Sequence, residues 1–140
     1  MRGAIALPMP PGVYPRQGDV WMCDFVGNVV PEMIKRRRVI VVSPRNRGAG
    51  ICLVVPVSRT EPSPSSVVHV RIPANSYVCF GNVDVWVKAD LLSHVRFARL
   101  DRVRVRSRYI HTVSLSAQHL VEVQRGVVHA LGLGRLADKI

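Results

Sequence analysis

Five polar side chains between residues 32 and 90 are of the types that act together on a phosphodiester. They comprise two carboxylates, two cations and one hydroxyl: Glu32, Asp90, Arg37, Lys88 and Ser58. Cutting RNA without a metal needs a base for the 2′-hydroxyl proton, an acid for the leaving 5′-oxygen, and donors that stabilise charge on phosphorus. A carboxylate, guanidinium groups and a hydroxyl supply these parts if a rigid sheet brings them together.

Each of these residues also has an ordinary structural explanation. A loop glutamate beside arginines is usually a surface ion pair that contributes little stability. Arg36, Arg37 and Arg38 are also typical of a solvated basic strand edge, and a serine at a strand end is typical of a turn. Lys88 and Asp90, two residues apart, fit an exposed polar stripe as well as a site. Residue types alone leave both interpretations open.

The elements that would position these residues are mostly short strands. Strands are predicted at residues 19–25, 39–42, 51–57, 67–72 and 83–90, with a short strand and a basic turn between 92 and 105. Alternation in 83–90 places Val83, Val85 and Val87 on one face; Asp84, Trp86, Lys88 and Asp90 lie on the other. Ser114 or Ser116 is expected to cap a helix that ends at Gly132 or Gly134.

This order of elements predicts a mainly β protein with a C-terminal helix, folded as a small barrel rather than a doubly wound sheet. Residues 1–16 are rich in proline and glycine and are expected to form a flexible arm, and residues 17–140 a single domain. No stretch is apolar enough to span a membrane, and prolines interrupt the N-terminal apolar segment, so a cytoplasmic location is expected.

Charge and cysteine content indicate which partners and cofactors the protein is expected to use. The net charge is +11, and 17 of the 20 basic residues are arginine. Arginine forms bidentate hydrogen bonds with phosphate, so this excess favours a polyanionic partner. A GC-rich genome would also enrich arginine over lysine. Cys23, Cys52 and Cys79 fit neither a disulfide framework nor a zinc spacing, so buried, reduced thiols are expected. Any chemistry is expected to proceed without a metal or another cofactor.

Four ordered motifs resemble the PemK/MazF family of toxin ribonucleases. They are Gly18-Asp-Val-Trp-Met-Cys-Asp-Phe25; Glu32 with Arg36-Arg37-Arg38-Val-Ile-Val-Val-Ser43-Pro44; Val55-Pro-Val-Ser58; and Trp86-Val-Lys-Ala-Asp90. The resemblance covers about Gly18 to Arg102. It implies an SH3-like barrel of the MazF/CcdB type, a homodimer, and a small antitoxin protein as partner. It also implies cleavage of single-stranded RNA to a 2′,3′-cyclic phosphate and a 5′-hydroxyl.

The resemblance also implies roles for individual residues. Arg37 matches the catalytic arginine, Ser58 the catalytic threonine and Glu32 a proposed acid/base glutamate; Asp90 and Lys88 match an acid/base pair in part of the family. Three departures stand out. Arg38 replaces the usual proline, Ser58 replaces threonine and loses the methyl that stiffens χ1, and Lys88 replaces arginine in some relatives. Every required chemical group is retained.

Other residues are candidates for contacts with RNA. They are Arg36, Arg38, Arg45, Arg59, Trp86, Arg96 and Arg99. The arginines would act mainly by general attraction, since backbone contacts carry no sequence choice. Trp86 is equally compatible with base stacking and with a place in the core. No histidine is assigned a role; His94, near Asp90, is expected to be passive.

Two further hypotheses remain open at this stage. One is a non-catalytic toxin on the same barrel, such as a gyrase poison, because fold does not settle function. The other is a nucleic-acid-binding module that has lost catalysis, which Arg38 and Ser58 would fit. Chelator-resistant RNA cutting separates the enzyme from both.

Overall fold

The computed structural model describes residues 14–44, 50–110 and 113–140. Ten strands precede one long helix: β1 Asp19–Cys23, β2 Arg37–Val41, β3 Ile51–Ser58, β4 His69–Ile72, β5 Val85–Lys88, β6 Ser93–Arg96, β7 Leu100–Asp101, β8 Arg104–Val105, β9 Arg108–Tyr109, β10 Val113–Ser114 and α1 Ala117–Ala130. Short 3-10 turns occupy Ala89–Leu91, Phe97–Arg99 and Gly134–Lys139. Most of the predicted arm, residues 1–13, and the loop arginines Arg45 and Arg47 lie outside the described residues.

One antiparallel sheet holds eight of the strands, in the order β10-β1-β2-β3-β5-β4, with β6 on β3 and β7 on β1. Strand β3 is long enough to pair with β6 through Ile51–Val54 and with β5 through Val57 and Ser58. Because β6 and β7 are separated only by one 3-10 turn, the sheet curls back towards β1 as a small barrel. No ladder between β6 and β7 closes it in the described part of the chain.

Two apolar clusters lie on opposite sides of this curved sheet. One fills the barrel and includes Trp21, Val39, Val54 and Leu100, all less than 2% exposed. The other packs the outer face of the sheet against α1 and includes Ile40, Val55, Val70, Val87 and Val123. Successive strand residues point to opposite faces, so the central strands β1, β2 and β3 contribute to both clusters.

Helix α1 begins and ends as its sequence predicts. The Ser116 side chain accepts the amide of His119 at 3.2 Å, an N-cap bond, and Gly132 adopts a left-handed φ of +78° beyond the last turn. Gly126 faces the sheet so closely that a Cβ there would lie 3.1 Å from Ala89 Cβ and 3.4 Å from the Val68 carbonyl oxygen. The helix therefore packs directly on the turn Ala89–Leu91.

Most of the predicted elements are confirmed, within two residues at several ends. The fifth strand was predicted too long: it ends at Lys88, and Asp90 lies in the 3-10 turn Ala89–Leu91 rather than on a strand face. The expectation that Lys88 and Asp90 point the same way along one strand is therefore wrong. Over the described ranges, no helix is long and apolar enough to cross a bilayer.

Candidate active site

A row of polar side chains crosses four neighbouring strands of the sheet. Ser58 pairs directly with Trp86, and Trp86 pairs with Arg71 on β4. Val39 pairs with Pro56, so continuing that register brings Arg37 opposite Ser58. Alternation places all four side chains on the side of the sheet away from α1. We call this surface the polar face. It comprises Arg37, Ser58, Trp86 and Arg71, with Lys88 and His69 in the next row.

The polar face lies outside both apolar clusters. On each strand the neighbouring residues, such as Val57, Val70 and Val87, belong to the cluster under α1. Arg37, Trp86 and Lys88 are half-buried, while Arg71 is exposed. The half-buried position of Trp86 outside the core favours the stacking interpretation over a core role. Strands joined by ladders thus present the polar groups on a rigid surface.

Ser58 is held by a local hydrogen bond. It is 9% exposed, and its Oγ accepts the amide of Thr60 at 3.0 Å. That bond restrains χ1, which offsets the loss of the threonine methyl. Because Oγ uses an acceptor position in this contact, its proton is left to be donated. The hydroxyl is therefore suited to contact an anionic oxygen.

Lys88, His69 and Asp90 form a second group on the next row. Lys88 pairs with His69 across β4 and β5, and His69 Nε2 lies 3.8 Å from Asp90 Oδ1. The Ser66 amide donates to His69 Nδ1 at 3.1 Å, so a neutral His69 carries its proton on Nε2, towards Asp90. The His69 side chain is only 12% exposed, whereas that of Asp90 is 46% exposed. Asp90 is thus accessible and lies beside the edge of the His69 ring.

Three cations of the polar face differ in whether they form an ion pair. Arg71 Nη2 lies 2.9 Å from Asp84 Oδ2, and a further bond comes from Arg71 Nε at 3.0 Å. The Ala74 amide and Arg71 lower the pKa of the Asp84 carboxyl, so Asp84 is a poor base. Over the described ranges, Arg37 and Lys88 form no ion pair, which leaves both free for an anionic ligand.

Arg38 lies on the opposite side of β2 from Arg37. Burial and the nearby Arg59 guanidinium lower the pKa of Arg38. Its Nε is buried and has no hydrogen-bond partner within the described structure. A bound anion would offset the repulsion between Arg38 and Arg59. It would also accept a hydrogen bond from Arg38 Nε.

Glu32 is placed apart from the polar face. It lines a cavity of about 460 Å³, called the loop cleft, between the loop after β1 and strand β6. The other lining residues are Phe25, Asn28, Leu92, Ser93, His94, Val95, Arg96 and Arg99. Glu32 Oε1 accepts the Val29 amide at 2.7 Å, and Arg99 Nη1 donates to the carbonyls of Asp24 and Val26. Glu32 and Arg99 therefore stabilise the loop that forms one wall of the loop cleft.

The structure therefore brings together only some of the predicted site residues. Arg37, Ser58, Trp86 and Lys88 share the polar face and Asp90 borders it, whereas Glu32, Arg96 and Arg99 meet in the loop cleft. His69 was not predicted, because its contact with Asp90 depends on the pairing of β4 with β5 and no local spacing signals it. Among the described residues, no group of three or more histidine, cysteine or acidic side chains is arranged to hold a metal ion.

The geometry can be compared with known proteins. A family model described as the PemK-like, MazF-like toxin of type II toxin–antitoxin systems matches residues 16–131. The chain belongs to this family. The match spans the whole sheet and all of α1, including every residue of the polar face. The predicted family resemblance is confirmed.

Individual relatives agree with this assignment. The YifN protein of Escherichia coli (strain K12) is 32% identical over 127 residues, covering 86% of this chain and 84% of its own. An uncharacterized protein of Haemophilus influenzae is 27% identical over 139 residues, covering 89% and 95%. Both relatives align with this chain over most of their length.

Solved structures show the same fold. MazF from Deinococcus radiodurans superposes with a TM-score of 0.65 at 22% identity, covering 86% of this chain and 98% of that one. An endoribonuclease in complex with its cognate antitoxin, from a mycobacterial species, gives a TM-score of 0.60 at 17% identity, covering 85% and 96%. The predicted mainly β, MazF-like fold with a C-terminal helix is confirmed.

Proposed function

We propose that this protein is a toxin endoribonuclease that cleaves single-stranded RNA on the polar face. The observation that supports this most strongly is the shared row of Arg37, Ser58 and Trp86, with Lys88 one row away. It offers a guanidinium, a hydroxyl, an aromatic ring and an ammonium group on adjoining strands. Membership of the toxin family and the endoribonucleases among the structural neighbours support the same activity.

The reaction is an attack of the ribose 2′-oxygen on the adjacent phosphorus. Asp90 accepts the 2′-hydroxyl proton, the O2′–P bond forms, and the P–O5′ bond breaks. The products are a 2′,3′-cyclic phosphate and a 5′-hydroxyl, whose oxygen receives a proton from Lys88. Arg37 and Ser58 donate to the phosphate oxygens, where charge grows in the transition state. No metal ion takes part in this scheme.

His69 acts as a positioning residue for Asp90. Its Nε2 faces the carboxylate, while the Ser66 amide holds the other ring nitrogen. Of the two candidate carboxylates, Asp90 is favoured because it borders the face that carries Lys88 and the arginine–serine row. Glu32 remains the alternative base; it would have to release the Val29 amide and move out of the loop cleft.

RNA contacts extend beyond the reacting group. Trp86, half-buried on the polar face, stacks a base beside Ser58. Arg36, Arg38 and Arg59 attract the backbone at the rim of the sheet, where Arg38 has an unsatisfied donor. Arg96 and Arg99 contribute positive charge from the loop cleft, and Arg45 completes the predicted set. These contacts raise affinity and make it depend on salt.

An antitoxin protein and a second copy of the chain are the proposed protein partners. Structural neighbours include an endoribonuclease with its cognate antitoxin and a MazE–MazF complex from Deinococcus radiodurans. Among the described residues, Arg37 and Lys88 of the polar face have no carboxylate partner, which suits an acidic antitoxin segment. The proposed place of action is the cytoplasm, where messenger RNA is found.

The activity is tested with purified protein, a single-stranded RNA and excess EDTA. Wild-type protein is expected to cut the RNA and leave 2′,3′-cyclic phosphate ends. Arg37→Ala should reduce the rate by about 100-fold or more, the scale of losing one transition-state donor. Arg135→Ala, an exposed arginine in the last turn, is the matched control and should cut normally. Binding without any cutting would instead support a non-catalytic module.

A further inference from the structure

A second basic cavity lies on the other side of the barrel rim. Its volume is about 220 Å³, and it is lined by Met22, Arg36, Asp101, Arg102, Arg104 and Tyr109. It is called the hairpin cleft because β8 and β9 form its outer wall. Met22 lies on the opposite side of β1 from Trp21 and Cys23, which belong to the barrel interior. The hairpin cleft is therefore separate from the polar face.

Tyr109 organises the arginines of the hairpin cleft. It pairs with Arg104 across β8 and β9, so both side chains lie on the same face of the hairpin. The guanidinium carbons of Arg102 and Arg104 lie 4.6 and 5.2 Å from the centre of the Tyr109 ring. These cation–π contacts hold the guanidinium groups in place and leave their N–H edges to bind a ligand.

The charge of the hairpin cleft is net positive. Three guanidinium groups face one carboxylate, that of Asp101, which is 4% exposed and whose Oδ1 accepts the Arg102 amide at 2.7 Å. Within the described structure, Arg36, Arg102 and Arg104 form no ion pair. A concave site with several forked donors and little opposing charge selects an anion.

Its size limits the anion to a small group. Sites for drug-sized ligands usually measure about 300–1,000 Å³, which is more than this cavity offers. A phosphate with part of its sugar is the largest unit that suits it, so the base would stay outside. There it could stack on a guanidinium plane, as bases do in RNA complexes.

We propose that the hairpin cleft binds a backbone phosphate of the RNA beyond the nucleotide that is cut. The inference rests on the proposed function, since it extends the path of the same strand. Arg36 lines this cleft and directly precedes Arg37 of the polar face, so one continuous RNA can reach both. RNA is favoured over an acidic protein segment because a guanidinium plane beside the cleft can also stack a base, which an acidic side chain lacks.

The test measures binding of an RNA that cannot be cut. A long single-stranded RNA with 2′-O-methyl riboses lacks the attacking hydroxyl, so affinity is measured apart from activity. The double variant R102Q/R104Q is expected to bind more weakly. The slope of log affinity against log salt should fall by about 0.7 for each phosphate that the variant no longer neutralises. Cleavage of a short RNA that reaches only the polar face should stay within about twofold of wild type.

The matched control is R106Q/R108Q. It removes the same charge from the same hairpin, but both residues are exposed and neither lines the cleft. Equal reductions in affinity for the two double variants would overturn the proposal, because general attraction would then explain them. Arg104 is exposed, so R104Q alone keeps the test valid if the double variant unfolds.

Two further comparisons, of poly-glutamate binding and of RNA cleavage by wild type, distinguish the remaining outcomes. If R102Q/R104Q binds the RNA normally but loses binding to poly-glutamate, the cleft serves an acidic protein and the proposal is overturned. If wild type fails to cut RNA yet R102Q/R104Q selectively weakens binding, the cleft proposal stands while the proposed enzymatic function fails. The two hypotheses are thus distinguished by binding and cleavage on separate substrates.

Discussion

The polar face and the loop cleft offer the same kinds of groups but use them differently. Each contains a carboxylate, a histidine and arginine or lysine. In the loop cleft, Glu32 and Arg99 bind backbone groups of the loop after β1, so these side chains stabilise a wall. On the polar face, the strands fix the backbone by ladder hydrogen bonds, and Arg37 and Lys88 keep their donors for a ligand. The polar face is therefore the better candidate for the active site.

Matched serines give the largest expected contrast between the two regions. Ser58→Ala is expected to slow RNA cleavage by about 100-fold, because a donor to the charged phosphate is removed. Ser58→Thr restores the hydroxyl and should recover most of the rate. Ser93→Ala changes a serine of the loop cleft and should leave the rate nearly unchanged. Single-turnover rates on one RNA measure all three, and equal reductions at Ser58 and Ser93 would remove the distinction.

Two adjacent residues of β5 are expected to have different effects: Val87 on stability and Lys88 on activity. Val87 is fully buried under α1, whereas Lys88 is on the polar face. Val87→Ala should lower the free energy of unfolding by about 2 kcal/mol, because it buries less apolar surface and leaves a cavity. Lys88→Ala should change stability by less than about 0.5 kcal/mol and slow cleavage by about 100-fold or more. Urea unfolding and cleavage rates check the pair; a stability loss at Lys88 as large as at Val87 would contradict the face assignment.

Gly126 tests how the helix supports the polar face from behind. Gly126→Ala gains about 1 kcal/mol of helix propensity but places a Cβ 3.1 Å from that of Ala89. Because Ala89 and the Val68 carbonyl are fixed by the backbone, we expect a net destabilisation of about 1 kcal/mol.

Cleavage by Gly126→Ala should fall a few-fold as well, since Asp90 follows Ala89 in the same turn. Gln118→Ala, an exposed position on α1, is the control and should match wild type in both measurements. A more stable Gly126→Ala protein with full activity would show that the helix and the turn are not tightly coupled.

The buried thiols affect stability only at alkaline pH, so their effect is absent at neutral pH. Burial raises the pKa of Cys52 and Cys79 to about 11 and that of Cys23 to about 12, from 9.0. As pH rises from about 9 to 11, the unfolded chain loses thiol protons that the folded chain keeps, so the free energy of unfolding falls. Denaturant melts across this range check it. In Cys52→Ala the decline should be shallower; an identical decline would mean that this thiol does not contribute.

Local patterns predicted much of the fold because they depend on neighbours in sequence. Two-residue alternation identified the buried valines of β5, and the Ser116 cap and Gly132 marked the ends of α1. Asp90 was misplaced for a non-local reason. The chain leaves the sheet at Ala89, where the amide bonds to the Val68 carbonyl and Gly126 of the helix packs against the side chain.

The site was less predictable than the fold. Arg37, Ser58 and Lys88 were selected by residue type and by family resemblance, but their common face follows from ladders between β2, β3 and β5. The contact of His69 with Asp90 and the separate position of Glu32 depend on contacts between segments far apart in sequence. Spacing along the chain carries no signal of such contacts.

The choice between the two carboxylates is tested by comparing them on one RNA oligonucleotide. Asp90→Asn and Glu32→Gln each replace a negative charge with a neutral amide of similar shape, and single-turnover cleavage is measured in EDTA. We predict that Asp90→Asn slows cleavage by about 100-fold or more, while Glu32→Gln stays within a few-fold of wild type. The opposite result would be normal cleavage by Asp90→Asn and a loss of cleavage by Glu32→Gln. It would place the reaction in the loop cleft and contradict the assignment of the polar face as the active site.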